Sequence, residues 1–150
     1  MPQGIDTPPA AADSVYARLG GAPAIQALVN RFYELMDELP EAYAVRRLHP
    51  DSLVGSADSL FKFLSGWFGG PALYIRERGH PRLRMRHAPY AIGPLERDEW
   101  LLCTHQALAE QVADEPLRAG MVRAFAEMAH HLVNAGATQH MSCAAHISRD

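Results

Sequence analysis

Apolar side chains recur every three or four residues along nearly all of this chain and alternate almost nowhere, which restricts it to helices packed on helices. From 22 to 39, Ile25, Leu28, Val29, Phe32, Leu35, Met36 and Leu39 cover one face of a predicted helix. Gly20-Gly21 precedes it, and Pro23 is tolerated in its first turn, where a backbone N–H has no intrahelical partner. A short helix over 14–19 comes before, and Pro40 ends the long run, leaving a short helical piece over 41–48. Pro50-Asp51 makes a corner. The next helix spans 56–67, with Leu60, Phe63, Leu64 and Trp67 on one side, and Gly66 and Gly69-Gly70-Pro71 stop it. An irregular stretch over 72–81 leads to a short turn around His87. Two long amphipathic helices follow. One covers 95–112, with Glu96, Asp98 and Glu99 at its positive end. The other starts at Pro116 and turns Leu117, Met121, Val122, Phe125, Met128, Ala129, Leu132 and Val133 inward. The expectation is an all-α domain over 13–135, with a loose Pro- and Ala-rich extension over 1–12 and a polar tail over 136–150.

A chain of 150 residues suits a single domain with an ordinary core. Its formal charge of −3 is well mixed, which argues against a nucleic-acid or membrane footprint. No apolar run reaches bilayer length, and the N-terminus has no basic start followed by an apolar stretch, so a cytoplasmic location is expected. Cys103 and Cys143 form neither CxxC nor CxxCH, so structural zinc and covalent haem attachment are not indicated, and both are expected as free thiols. His140, Cys143 and His146 have a spacing compatible with a metal, but on so polar a tail they read as a disordered segment.

The richest chemistry lies in Arg82-Leu83-Arg84-Met85-Arg86-His87-Ala88-Pro89-Tyr90, followed by Trp100 in Glu96-Arg97-Asp98-Glu99-Trp100. One imidazole sits on a short basic segment whose backbone Pro81 and Pro89 restrict on either side. Neighbouring arginines oppose protonation of that imidazole and favour a cofactor that carries carboxylates. This combination reads as a haem ligand, because globins hold iron through a proximal histidine without a cysteine motif.

From about Tyr16 to Asn134 the chain resembles the group II truncated haemoglobins, a two-over-two helical sandwich related to the globin fold that encloses a haem. The resemblance rests on Gly20-Gly21, Arg31-Phe32-Tyr33, Phe63-Leu64 ahead of Trp67-Phe68-Gly69-Gly70-Pro71, the run from Gly79 to Pro89, and Glu96 to Leu101. It implies b-type haem (iron protoporphyrin IX) with His87 as proximal iron ligand, Tyr33 as the distal tyrosine and Trp100 as the group's tryptophan. It also implies His49 at the corner before the distal helix, Ser56 at a gate position and Leu60 over the iron. Phe63 and Tyr90 are expected at the cofactor, and Arg84 and Arg86 at its propionates. Where relatives place a basic residue just before Leu60, this chain has Ser59, which leaves Lys62, Arg84 or Arg86 to make that contact.

The resemblance implies reversible binding of dioxygen, or of carbon monoxide or nitric oxide, with Tyr33, Trp100 and His49 slowing release. The chain would act as a monomer or homodimer. A redox enzyme is the alternative. Peroxidase chemistry asks for a distal base, for which His49 is the one candidate. Nitric oxide dioxygenation asks for a separate reductase, because no flavin or nicotinamide motif is present.

Overall fold

A computed structural model describes residues 13–135, all of whose regular elements are helical. The extension over 1–12 and the tail over 136–150, with His140, Cys143 and His146, lie outside the described residues. In chain order the helices are α1 (Val15–Leu19), α2 (Ala22–Glu38), a 3-10 turn (Pro40–Ala42), α3 (Tyr43–Arg46), α4 (Val54–Trp67), α5 (Leu73–Arg78), α6 (Leu83–His87), α7 (Pro94–Gln111) and α8 (Glu115–Leu132).

Their ends follow the local chemistry. The Ser14 hydroxyl accepts from the Ala17 N–H at 3.0 Å to start α1, and the Asp114 carboxylate accepts from Leu117 N–H at 3.0 Å to start α8. At α7, Glu96 reaches back to accept from the Gly93 N–H at 2.9 Å, with Pro94 opening the first turn. The segment 72–81, read as irregular, contains α5. Six residues between Pro71 and Gly79 make fewer than two turns, too short for an apolar period to be visible. The segment 41–48 divides into the 3-10 turn and α3, and the His87 turn is itself the helix α6.

The core forms where α2 packs on α4 and α7, and α7 packs on α8. Ile25, Val29, Leu35 and Met36 from α2 meet Cys103, Ala107 and Leu108 from α7 and Met121 and Phe125 from α8, all essentially withdrawn from water. Along α4 the predicted apolar stripe is only partly covered: Leu64 is buried, Leu60 and Phe63 are half-buried, and Trp67 is 38 % exposed. α4 packs on α2 and α5, whereas α6 packs on α8, and α4 and α6 share no comparable contact.

Glycine sets how α1 meets the end of α4. α1 docks on the turn after α4 through a Tyr16 N–H donated to the Phe68 carbonyl at 2.9 Å. Gly69 adopts φ +92, and a Cβ on Gly70 would fall inside the Tyr16 ring. Replacing Gly70 by Ala is therefore expected to cost about 1–3 kcal/mol through overpacking. Equilibrium urea unfolding measures it. Tyr16→Ala should recover part of the loss in the double variant, and a neutral Gly70→Ala protein would remove the contact from the account of α1 docking.

Candidate cofactor site

His87 is the last residue of α6, a helix that begins from Arg82 held in the left-handed region at φ 45. Its Nδ1 lies 2.7 Å from the carbonyl oxygen of Leu83, one turn earlier. A carbonyl only accepts, so Nδ1 carries a hydrogen, and in the neutral ring the lone pair belongs to Nε2. The backbone around the ring is pinned by other groups. Arg86 donates through Nε to the Pro81 carbonyl at 2.7 Å and through Nη2 to the Arg78 carbonyl at 3.3 Å. Arg84 donates to the carbonyl of His131, and Asn134 Nδ2 donates to the His87 carbonyl at 3.3 Å. Both arginines remain exposed, and Arg86 also lies over the Tyr74 ring, 5.6 Å from its centroid.

Tyr33, on α2, is 9 % exposed and its hydroxyl donates to the Ser56 carbonyl at 3.4 Å, the long limit of such a bond. Burial pushes its phenol well above the usual tyrosine range, so it stays a proton donor at any physiological pH. His49 meets Tyr33 edge-on, with ring centroids 5.9 Å apart. Its Nδ1 lies 2.9 Å from the Val45 carbonyl, which fixes the hydrogen there as at His87. Burial above all keeps His49 below the ordinary histidine range, with the charge of Arg46 adding to it and the Val45 bond opposing it.

Trp100, on α7, is half-buried between Phe32 and Phe125, at centroid separations of 5.2 and 5.8 Å. Its carbonyl accepts from Thr104 Oγ1 at 2.9 Å, while its indole N–H has no partner among the described residues. Beside it lies a narrow apolar cavity of about 10 Å³, bordered by Leu28, Phe32, Leu60, Leu64, Thr104 and Phe125, no larger than one water-sized guest. Leu60 and Ser56 lie on α4, Ser56 in its first turn, and both are half-buried. Phe63 stacks on Trp67 at 5.7 Å and meets Tyr74 edge-on at 6.4 Å.

Tyr33, His49, Ser56, Leu60 and Trp100 are thus gathered around α2 and α4. Tyr90 is placed differently. It is 47 % exposed and, with Arg84, lines a larger cavity of about 360 Å³ between the α6–α7 loop and the end of α8. None of Tyr33, His49, His87 or Trp100 borders that cavity.

Two groups escaped the sequence reading. Arg78 donates to Ser59 Oγ and to Asp58 Oδ2 at 3.4 Å, bringing a guanidinium to the place where a basic residue was missing. Lys62 is meanwhile committed to Asp58 at 2.9 Å and Glu77 at 2.8 Å. Glu99 is the second, since its Oε1 accepts the Val45 N–H at 2.8 Å. Both pairings join residues far apart in the chain, and no local pattern announces them.

An all-helical chain of this element order, with a histidine-bearing short helix ahead of two long ones, matches the two-over-two helical sandwich of a shortened globin. The family described as bacterial-like globin matches residues 14–134, and the chain belongs to it as a group II truncated haemoglobin. It is 32 % identical over 114 residues to the group 2 truncated hemoglobin YjbI of Bacillus subtilis (strain 168), covering 76 % of this chain and 84 % of the relative. The group II 2-on-2 hemoglobin of the plant pathogen Agrobacterium tumefaciens shares 44 % identity and superposes with a TM-score of 0.79 over 81 % of this chain and 94 % of its own. The cold-adapted truncated hemoglobin of the Antarctic marine bacterium Pseudoalteromonas haloplanktis TAC125 shares 38 % identity with a TM-score of 0.80, over 81 % and 98 % of the two chains. Globins bind haem and, through it, diatomic gases, and family membership carries haem-based ligand binding to this chain. No helix among the described residues is long and apolar enough to cross a membrane.

Proposed function

We propose that the protein binds dioxygen, and other diatomic gases, reversibly at b-type haem held by His87. The observation that carries this reading is the 2.7 Å approach of His87 Nδ1 to the Leu83 carbonyl, because it commits one ring nitrogen as donor and leaves Nε2 as a neutral ligand of fixed orientation. Iron porphyrin supplies a coordination position at which a diatomic gas is held. The chain's own residues do the rest. Leu60 and Phe63 offer an apolar wall, and exposed Arg84 and Arg86 supply the positive charge that propionates need. Trp100 and Tyr33 supply the hydrogen-bond donors for the ligand. His49 stands beside Tyr33 with Nε2 free to accept, and the carbonyl of Ser56 holds the Tyr33 hydroxyl in reserve. A set richer in donors than a simple carrier needs favours retention, and so sensing, scavenging or redox chemistry, over bulk delivery.

His49 also favours a second reading, a peroxidase-like redox enzyme, because a neutral distal imidazole with a free nitrogen is a suitable proton acceptor. Nitric oxide dioxygenation would further need a partner reductase. Absorption spectra of the purified protein in its ferric, ferrous, oxygenated and carbonyl forms test the main reading. A five-coordinate ferrous spectrum and a persistent oxygenated form are expected. A colourless protein from haem-rich cells, or a ferrous form ligated by two histidines, would overturn it. Peroxide added to the same preparation separates the readings: stoichiometric bleaching fits ligand binding, and sustained turnover with a reducing dye fits the enzyme.

A further inference from the structure

Glu99 stands next to Trp100 in sequence but faces a different element. α3 packs against α7, and Glu99 Oε1 accepts the N–H of Val45 at 2.8 Å across a separation of 54 residues. The carbonyl of the same Val45 residue accepts from His49 Nδ1 at 2.9 Å. Val45 is 4 % exposed, so water is a poor substitute for either bond. Glu99 itself is half-buried, and its charge adds to burial in pushing the Cys103 thiol, four residues on, up to about 11.

We propose that Glu99 is a positioning residue: by anchoring the Val45 backbone it holds His49 in the Nδ1–H tautomer, with Nε2 presented to the ligand side as an acceptor. This inference rests on the reading of His49 as a distal residue given above.

The argument is one of competing donors. α3 is only four residues long, from Tyr43 to Arg46, and makes little helical hydrogen bonding of its own. The Val45 N–H lies in its first turn, where no carbonyl four residues earlier serves it in a regular helix, because Ala42 caps the element and the 3-10 turn precedes it. Glu99 supplies the missing acceptor from α7, the longest-range tie holding this segment. With Val45 fixed, its carbonyl keeps a constant direction and His49 has one preferred tautomer. Without the tie, α3 shifts, the carbonyl tilts, and the imidazole exchanges between tautomers that present a donor or an acceptor to the same space. One helix then controls both polar walls, since Trp100 projects the donor and Glu99, one residue earlier, sets the acceptor. Tyr33, whose ring meets His49 at 5.9 Å, is the hydroxyl whose orientation follows.

The test uses the full chain with haem as the ferrous carbonyl complex, which is diamagnetic. Long-range nitrogen–proton NMR of the imidazoles is expected to show His49 as a single Nδ1–H tautomer in the wild type. Glu99→Gln, whose amide oxygen still accepts the Val45 N–H, should keep it. Glu99→Ala should show both tautomers, and the carbonyl stretching band should split into more than one component. If Glu99→Ala does not fold, Glu99→Asp, one methylene too short, is expected to show the same mixture. A single unchanged His49 tautomer in both Glu99→Ala and Glu99→Asp would overturn the proposal. His49→Phe distinguishes its failure from that of the functional reading: a carbonyl band unmoved in His49→Phe would remove His49 from the ligand side, whereas the tautomer result alone decides the role of Glu99.

Discussion

His87→Gly protein, purified from cells supplied with ample haem, is expected to lose stoichiometric haem and with it the Soret absorbance. It should regain a five-coordinate spectrum when free imidazole is added. The size of the effect follows from the position of His87, the one imidazole of α6 and the only ligand proposed on that side. The rescue follows from how α6 is held. Its backbone is fastened by Arg86 on the Pro81 and Arg78 carbonyls, by Arg84 on the His131 carbonyl and by Asn134 on the carbonyl of residue 87. None of these bonds uses the imidazole ring. Removing the ring therefore leaves the helix where it was, with room for an imidazole that can donate to the freed Leu83 carbonyl. The main core, built from α2, α7 and α8, contains no atom of His87, so helical circular dichroism should be close to wild type apart from a glycine cost of roughly 0.5–1 kcal/mol. An unchanged ferrous spectrum in the variant would defeat the assignment, whatever else the site contains.

The contrast between α2 and α5 shows what local sequence can and cannot reveal about this fold. In α2, seventeen residues repeat the apolar period nearly five times, with Gly21 before it and Pro40 after it, and the helix is legible from end to end. In α5, six residues show little more than one turn, and its role comes from Arg78 reaching Ser59 and Tyr74 meeting Phe63. The same contrast runs through the site. His87, Tyr33 and Trp100 are conspicuous by residue type and neighbours, and the Leu83 carbonyl is an i−4 partner that follows once α6 is known to be helical. Arg82 at positive φ is not legible, because side chains with a Cβ rarely adopt that conformation and nothing in the local composition demands it. Nor is Glu99, which reads locally as an acidic residue near a helix start. Its hydrogen bond to Val45 exists only because tertiary packing brings α3 onto α7.

Trp100→Phe is expected to accelerate dioxygen dissociation more than Tyr33→Phe, although the sequence alone ranks the tyrosine at least equally. The difference lies in what each donor gives up to serve a ligand. The indole N–H of Trp100 has no partner among the described residues, and its ring is fixed between Phe32 and Phe125. Under the proposed function it would serve a ligand without giving up another bond. The Tyr33 hydroxyl already donates to the Ser56 carbonyl at 3.4 Å and must surrender that bond, although its length makes the loss small. A hydrogen bond to a ligand that takes on negative charge is worth about 1.5–3 kcal/mol, so losing the Trp100 bond should raise the dissociation rate by roughly 10- to 100-fold. Tyr33→Phe should raise it by less. The Ser56 carbonyl keeps its helical donor within α4, so little stability should be lost with the hydroxyl. In the double variant the two effects should fall short of adding, because under the proposed function both donors serve one ligand and either can partly replace the other. Stopped-flow displacement of dioxygen by carbon monoxide measures all three. Equal rates in wild type and double variant would mean that neither donor reaches the ligand, and the retention argument would fail with them. A larger effect for Tyr33→Phe than for Trp100→Phe would instead show that the hydroxyl, released from Ser56, is the principal donor.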